Sequence, residues 1–298
     1  MDLRSDVVSL LSALVEFPSE SLREQALADE LEVSLRALPH LTVTRDGNSL
    51  IASTALGRPE RVIIAGHIDT VPSSGNDRAI IVNPGDRAPV ADTGGSFEVT
   101  EARLYGLGAC DMKGGLAVQL KLAAELKEPN RDVTYVFYEA EEIEAVHNGL
   151  RRIAANTPDV LHGDFAILME PSNAVVEAGC QGTIRIEVRT QGRRAHTARA
   201  WMGDNAIHAT ADILNILKTY SPRKPVIDGL EYHEGLQAVA ISGGIAGNVV
   251  PDSAVVTINH RFAPDRSAAE AEAMLRNLFA DYDVTVIDIA DGALPGLS

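Results

Sequence analysis

The sequence is poor in cysteine and in basic residues, and it has no long apolar run. With only two cysteines among 298 residues, no disulfide framework can form, so we expect Cys110 and Cys180 to be reduced, buried thiols of a cytoplasmic protein. Lys and Arg number 26 against 42 Asp and Glu, a net charge of −16, which argues against nucleic-acid binding. No apolar run is long enough to span a membrane, so we expect a soluble protein.

The N-terminal half predicts a helix-covered α/β domain over residues 1–178. Amphipathic patterns predict helices at 3–16, rather than a signal peptide, and at 21–37, with the serines of FPSES capping the second. Near-continuous apolar strands such as RVIIAG and DVTYVFYE alternate with helices, which favours a mostly parallel sheet. Residues 73–103 are rich in Gly, Pro, Asp and Ser and predict an exposed excursion containing a β-hairpin.

A second pattern begins near Gly179. Alternating strands and two amphipathic helices follow in the order β-α-β-β-α-β, which is typical of a ferredoxin-like α+β fold. We therefore expect a separate domain over residues 179–289, with residues 290–298 returning to the first domain.

A histidine and several carboxylates, which can bind metal or transfer protons, lie at or near the ends of the predicted apolar strands. In open α/β sheets these ends form the usual functional crevice. The candidates are His67, Asp69, Asp111, Glu139, Glu141, Glu142 and Glu170. Four of them have an ordinary alternative: His67 could be a satisfied strand-end histidine, Asp111 could cap the following helix, Glu142 could be a solvated loop residue, and Glu170 before Pro171 could belong to a turn.

One histidine with several carboxylates suits two neighbouring divalent ions, which polarise a carbonyl and activate water. The adjacent Glu141 and Glu142 can then divide the work, one binding metal and the other taking a proton from water. The residues alone leave open which glutamate does which.

The segments GHIDTVP, GACDMKGG, EAEE and MEP, in this order, resemble the dinuclear zinc M20 metallopeptidase and deacylase family. The resemblance implies an enzyme with two Zn²⁺ ions, for which Co²⁺ can substitute. Asp69 would support a ligand, and Glu141 would be the general base. The implied metal ligands are His67, Asp111, Glu142 and Glu170.

The second domain resembles the lid and dimerisation domain of that family, which implies a homodimer. His196 in RRAHTARAW corresponds to the histidine that holds the reacting carbonyl oxygen. Asn248 in GNVVPD and Arg261 in NHRF correspond to substrate-binding positions, and a guanidinium suits a substrate carboxylate.

Within the family, EAGCQGTIRIEV and DGLEYHEGL look most like actinobacterial succinyl-diaminopimelate desuccinylases, with acetylornithine deacetylases, aminoacylases and dipeptidases as alternatives. The family also uses a later histidine for the second zinc, and none follows His260. The sequence thus leaves two hypotheses, an active amidohydrolase and a truncated, non-catalytic protein that retains a dimerisation module.

Overall fold

A five-stranded mixed sheet forms the centre of the first unit of the chain, Met1–Val175. The computed structural model describes residues 1–89 and 96–296. The helices of this unit are α1 (Val7–Val15), α2 (Gln25–Arg36), α3 (Lys113–Glu125) and α4 (Gly149–Asn156), with a 3₁₀ turn at Pro158–Leu161. Its strands are β1 (Thr42–Asp46), β2 (Ser49–Ser53), β3 (Arg61–His67), β4 (Ile80–Val82), β5 (Arg87–Pro89), β6 (Ser96–Glu98), β7 (Arg103–Tyr105), β8 (Asp132–Tyr138) and β9 (Phe165–Leu168).

The strand order in the main sheet is β1-β2-β8-β3-β9. Strands β8, β3 and β9 run parallel, whereas the β1–β2 hairpin joins β8 in antiparallel fashion. The predicted α/β class is confirmed, and the parallel arrangement is limited to three strands because the hairpin around Gly47 adds two antiparallel ones.

Apolar faces on both sides of this sheet fix its position. Leu27, Leu31 and Leu35 recur at every fourth residue of α2 and are fully buried against one face, together with α1 and α3. Ile153 of α4 packs on the other face. The register places His67 beside Tyr138, so the carboxyl ends of the parallel strands lie at one edge.

The predicted excursion folds into two antiparallel ladders, β4 with β7 and β5 with β6. Val82, Ala88 and Val99 form a small core of their own. The hairpin expectation is confirmed for the described part, while residues 90–95 lie outside the described residues.

The segment between α1 and α2 differs from the prediction. Helix α2 begins at Gln25, and its N-cap residue Glu24 makes no side-chain capping bond. The serines do not cap it either: Ser19 is buried, and the Ser21 hydroxyl donates to Asp69. The predicted serine cap is therefore wrong, because the Ser21 side chain bonds to Asp69 just after β3 and Ser19 makes no capping bond.

The second unit, Val176–Ser298, is built on a four-stranded antiparallel sheet. Its helices are α5 (Ala206–Thr219) and α6 (Ala268–Leu278), with a 3₁₀ helix at Thr197–Met202. Its strands are β10 (Gly182–Gln191), β11 (Ala195–His196), β12 (Val226–Ile227), β13 (Leu230–Glu231), β14 (Gly235–Gly243), β15 (Val249–Val250), β16 (Ser253–Phe262) and β17 (Asp283–Ala290).

The order β17-β10-β16-β14 confirms the ferredoxin-like arrangement predicted from the alternation of strands and helices. Residues Ile184, Ile186, Val256 and Ile258 form a core with Ile213 of α5 and Leu275 of α6. We expected residues 290–298 to return to the first domain, whereas Ala293 pairs with Cys180 inside the second unit. Residues 297–298 lie outside the described residues.

Both cysteines are free, as expected, but they are exposed, so the prediction of buried thiols is wrong. Cys110 and Cys180 lie in connecting segments, where no sheet or helix face covers them. Within 1–89 and 96–296, none of the helices combines the length and the apolar character that crossing a bilayer requires.

The buried carboxylate of Asp132 stabilises the start of β8. Burial by itself would raise the pKa of Asp132, but hydrogen bonds from the backbone of Leu56, the hydroxyl of Thr54 and the backbone of Arg58 outweigh it and lower the pKa to about 2. The stabilisation is therefore complete above about pH 4 and is lost as the pH falls through about 2.

We expect Asp132→Asn to lower the free energy of unfolding by about 2 kcal/mol at pH 7, from the size of this shift. The difference from the wild type should shrink between pH 4 and pH 2 in urea titrations followed by circular dichroism. Asp164→Asn, which removes the charge of an exposed carboxylate with one backbone contact, is the control and should have little effect. A deficit in Asp132→Asn that stays constant down to pH 2 would contradict the assignment.

Candidate metal centre

His67 is the buried last residue of β3, and its two ring nitrogens face different partners. Nδ1 lies 3.1 Å from the carbonyl oxygen of Asp69, which can only accept, so Nδ1 carries a proton. Nε2 lies 3.1 Å from Oδ1 of Asp111 and 3.9 Å from Oε2 of Glu170. The ring is thus oriented with Nε2 towards two carboxylates, an arrangement typical of metal-binding histidines.

Asp111 reaches His67 from the loop before α3. The N-cap residue of α3 is Met112, without a side-chain capping bond, so Asp111 does not cap this helix. A Cβ on Gly115 would collide with the carbonyl oxygen of Met169, so glycine lets the first turn of α3 pack against the end of β9. This close approach brings Asp111 and Glu170 to the same edge of the sheet.

Among the described residues, His67, Asp111 and Glu170 form one group whose ligand atoms all lie within 4.8 Å of one another. Imidazole nitrogen and carboxylate oxygen are suitable ligands for Zn²⁺ and related ions. Asp111 and Glu170 are also partly exposed, which leaves access for an ion and a substrate. The donor set fits a divalent cation, and Glu142 lies outside this group of three.

Asp69 makes more contacts than the sequence predicted. Besides the contacts with His67, its Oδ1 accepts a hydrogen bond from the Glu141 amide (3.0 Å) and its Oδ2 one from the Glu142 amide (3.1 Å). The Ser21 hydroxyl donates to Oδ2 at 2.7 Å. One fully buried carboxylate therefore lies 3.4 Å from Nδ1 of the histidine and also holds the backbone of both glutamates.

Charge is concentrated at this edge. Burial opposes protonation of His67, but the hydrogen bond to Asp69 and nearby carboxylates outweigh it and raise its pKa to about 9. Burial and repulsion from neighbouring carboxylates raise the pKa of Glu170 to about 7, although His67 opposes the shift. Burial and the charge of Asp111 raise the pKa of Glu142. Such crowded carboxylates favour binding of a divalent cation, which relieves their repulsion.

Glu139 was a candidate from its position at the end of a strand, but it lies in a different environment. Its carboxylate accepts hydrogen bonds from the Asn48 amide and from Arg152. These contacts link the β1–β2 turn to α4, so Glu139 has a structural role.

Of the three site residues predicted in the second unit, His196 and Asn248 lie close together, and Arg261 lies on another strand. His196 in β11 pairs with Val249 of β15. The Thr197 amide donates to the carbonyl of Asn248, which lies in the turn just before β15, so His196 and Asn248 are neighbours. Nδ1 of His196 accepts from the Ala198 amide at 3.1 Å, which leaves Nε2 as the proton-bearing nitrogen. Arg261 is exposed on β16, beside Thr183 of β10.

Sequence reasoning missed two supporting residues, Ser21 and Glu24. Glu24 is fully buried, and its Oε1 accepts from the Ala140 amide at 3.1 Å. Neither residue lies in a recognisable motif, and their partners are distant in the sequence, so no local pattern could have identified them.

Residues 63–294 match the family described as Peptidase family M20/M25/M40. The chain belongs to this family. It is therefore a hydrolase that acts on amide bonds.

Two actinobacterial relatives are similar over the whole chain. The succinyl-diaminopimelate desuccinylase of Corynebacterium glutamicum is 42% identical, and the alignment covers 100% of this chain and 78% of the relative. A Mycobacterium tuberculosis relative named for the same activity is 48% identical, with 100% and 80% covered.

Solved structures of the family share the fold. An M20 family metallo-carboxypeptidase from Sulfolobus solfataricus gives a TM-score of 0.69 at 16% identity, covering 97% of this chain and 79% of that one. A dinuclear metal binding peptidase from Bacillus subtilis gives 0.58 at 18% identity, covering 96% and 74%. At such identities the likeness concerns the fold alone.

Proposed function

We propose that the protein is a zinc-dependent amidohydrolase that converts N-succinyl-L,L-diaminopimelate to succinate and L,L-diaminopimelate, a step of lysine and diaminopimelate biosynthesis. The observation that carries the proposal is the group of His67, Asp111 and Glu170 at the sheet edge. The desuccinylase names of the two actinobacterial relatives support the choice of substrate. The proposed location is the cytoplasm, because exposed free thiols are typical of a reducing compartment.

The proposed metal ligands are His67, Asp111, Glu142 and Glu170. Two bound Zn²⁺ ions would supply Lewis acidity towards the amide carbonyl and lower the pKa of water. Glu141 accepts the proton of the attacking water and returns it to the leaving amine. The backbone amide of Glu141 donates a hydrogen bond to Asp69, and this contact supports a fixed position for the base.

The second unit contributes substrate contacts in this proposal. His196 donates from Nε2 to the carbonyl oxygen as negative charge develops there, which is the usual form of oxyanion stabilisation. Arg261 binds a carboxylate of the substrate in bidentate fashion, and Asn248 adds a polar contact. The exposure of Arg261 supports this role.

A homodimer through the second unit is part of the proposal. β14 is an edge strand of nine residues without a charged side chain, and its Val239 and Ile241 are more than half exposed. The opposite edge strand, β17, contains Asp283 and Asp288. Because charged side chains protect sheet edges from pairing, the uncharged edge is the one suited to a second copy of the chain.

The base assignment predicts that Glu141→Gln lowers kcat for succinate release by about 10²- to 10⁴-fold while bound zinc is retained. Removing metal with a chelator should abolish turnover of the wild type, and added Zn²⁺ should restore it. Glu144→Gln changes an exposed glutamate of the same loop and serves as the matched control, with activity near wild type. Turnover that survives thorough chelation would refute the metal mechanism, and equal turnover of N-acetylornithine would refute the substrate assignment.

The interface assignment predicts that Val239→Lys with Ile241→Lys converts a dimer to a monomer, because charges on the edge would oppose strand pairing. Light scattering after gel filtration measures the change. Ile287→Lys on β17 is the control, since this side chain is 44% exposed on the opposite edge, and it should leave the dimer intact. A lysine pair on β14 that leaves the mass unchanged would exclude this interface.

A further inference from the structure

The segment between α1 and α2, residues 16–24, contacts the parts of the chain next to Asp69, Asp111 and the two glutamates. The Lys113 ammonium donates to the carbonyl of Phe17 at 2.8 Å, next to the loop of Asp111. The Thr70 amide donates to the carbonyl of Ser19, and the Ser21 hydroxyl donates to Asp69. Glu24 extends these contacts to the loop of the two glutamates. The segment therefore braces the centre without supplying a ligand.

Glu24 is the most unusual member of this segment. It is fully buried, yet its carboxylate neither caps α2 nor forms an ion pair within the described residues. Oε1 accepts from the Ala140 amide, whereas Oε2 has no hydrogen-bond partner in the part of the chain that the structure describes. A buried carboxylate with an unpaired oxygen is costly, and a residue chosen for packing alone would be apolar.

The contact that Glu24 makes lies at a critical turn. Ala140 has a φ of +54°, a left-handed conformation that non-glycine residues rarely adopt. The next two amides, of Glu141 and Glu142, donate to Asp69. Three consecutive amides therefore bind two buried carboxylates, and the turn at Ala140 sets the direction in which both glutamate side chains leave the backbone.

We propose that Glu24 is a positioning residue, whose Oε1 fixes the turn at Ala140 and thereby the Glu141–Glu142 loop. The inference rests on the proposed function, in which these glutamates provide the base and a metal ligand. Glu24 acts through the Ala140 amide and touches neither metal nor substrate. The acceptor atom is what the loop needs, so a neutral side chain of the same shape with a carbonyl oxygen can replace it.

The test compares two substitutions of similar volume in the full chain. Glu24→Gln keeps an oxygen acceptor, whereas Glu24→Met fills the space without one. We expect Glu24→Met to weaken Zn²⁺ binding measured by calorimetric titration, and to lower kcat, each by about 10- to 100-fold, with KM changed much less. Glu24→Gln should stay within about threefold of the wild type in both measurements, given the size typical of such supporting contacts.

Asp132→Asn is the matched control for lost stability. It alters a buried carboxylate that also accepts backbone amides, but at the other end of β8, so it should lower stability and leave Zn²⁺ binding and kcat unchanged. Unaltered zinc binding and kcat in folded Glu24→Met would overturn the proposal. So would a folded Glu24→Gln variant that loses about 10-fold or more in both measurements relative to the wild type. This comparison with the wild type still decides if the Met variant does not fold.

Failure of the proposed function would give a different result. A wild type that binds Zn²⁺ but does not release succinate would refute the substrate assignment alone. The zinc titrations of the two Glu24 variants would still decide whether Glu24 positions the loop.

Discussion

The candidate centre depends on the buried carboxylate of Asp69. Its Oδ1 lies 3.4 Å from Nδ1 of His67, and the carboxylate accepts hydrogen bonds from the amides of Glu141 and Glu142 and from the hydroxyl of Ser21. A carboxylate can remain charged in such a place only when several donors surround it. These hydrogen bonds lower the pKa of Asp69 against the effect of burial. Removing this one group would release three separate segments at once.

The sequence indicated which residues belong to the candidate centre better than it indicated the hydrogen bonds that connect them. His67, Asp111 and Glu170 were identified because each follows or flanks a buried element, and parallel strands end at one edge of a sheet. The hydrogen bond from the Glu141 amide to Asp69 joins residues 72 positions apart, and the one from the Ala140 amide to Glu24 joins residues 116 positions apart. Such pairs leave no local periodicity, so only the tertiary structure reveals them.

The difference between local patterns and long-range contacts also explains which predictions about the fold were wrong. Elements with strong apolar periodicity, such as α2 and the strands of the second unit, lie close to their predicted positions. The predicted serine cap failed because Ser21 bonds to a side chain on another element in place of the helix end. Glu139 failed as a candidate for a similar reason, since Arg152 and the Asn48 amide take its carboxylate. In both cases a partner distant in the sequence decided which contact the side chain makes.

The most direct test of the centre is anomalous X-ray diffraction from crystals of the protein grown with Zn²⁺, with data collected on both sides of the zinc absorption edge. We expect an anomalous peak from a zinc ion that lies about 2.0 to 2.2 Å from the Asp111 carboxylate and from Nε2 of His67. Zinc-containing crystals with peaks only at other side chains, and none beside His67 and Asp111, would contradict it.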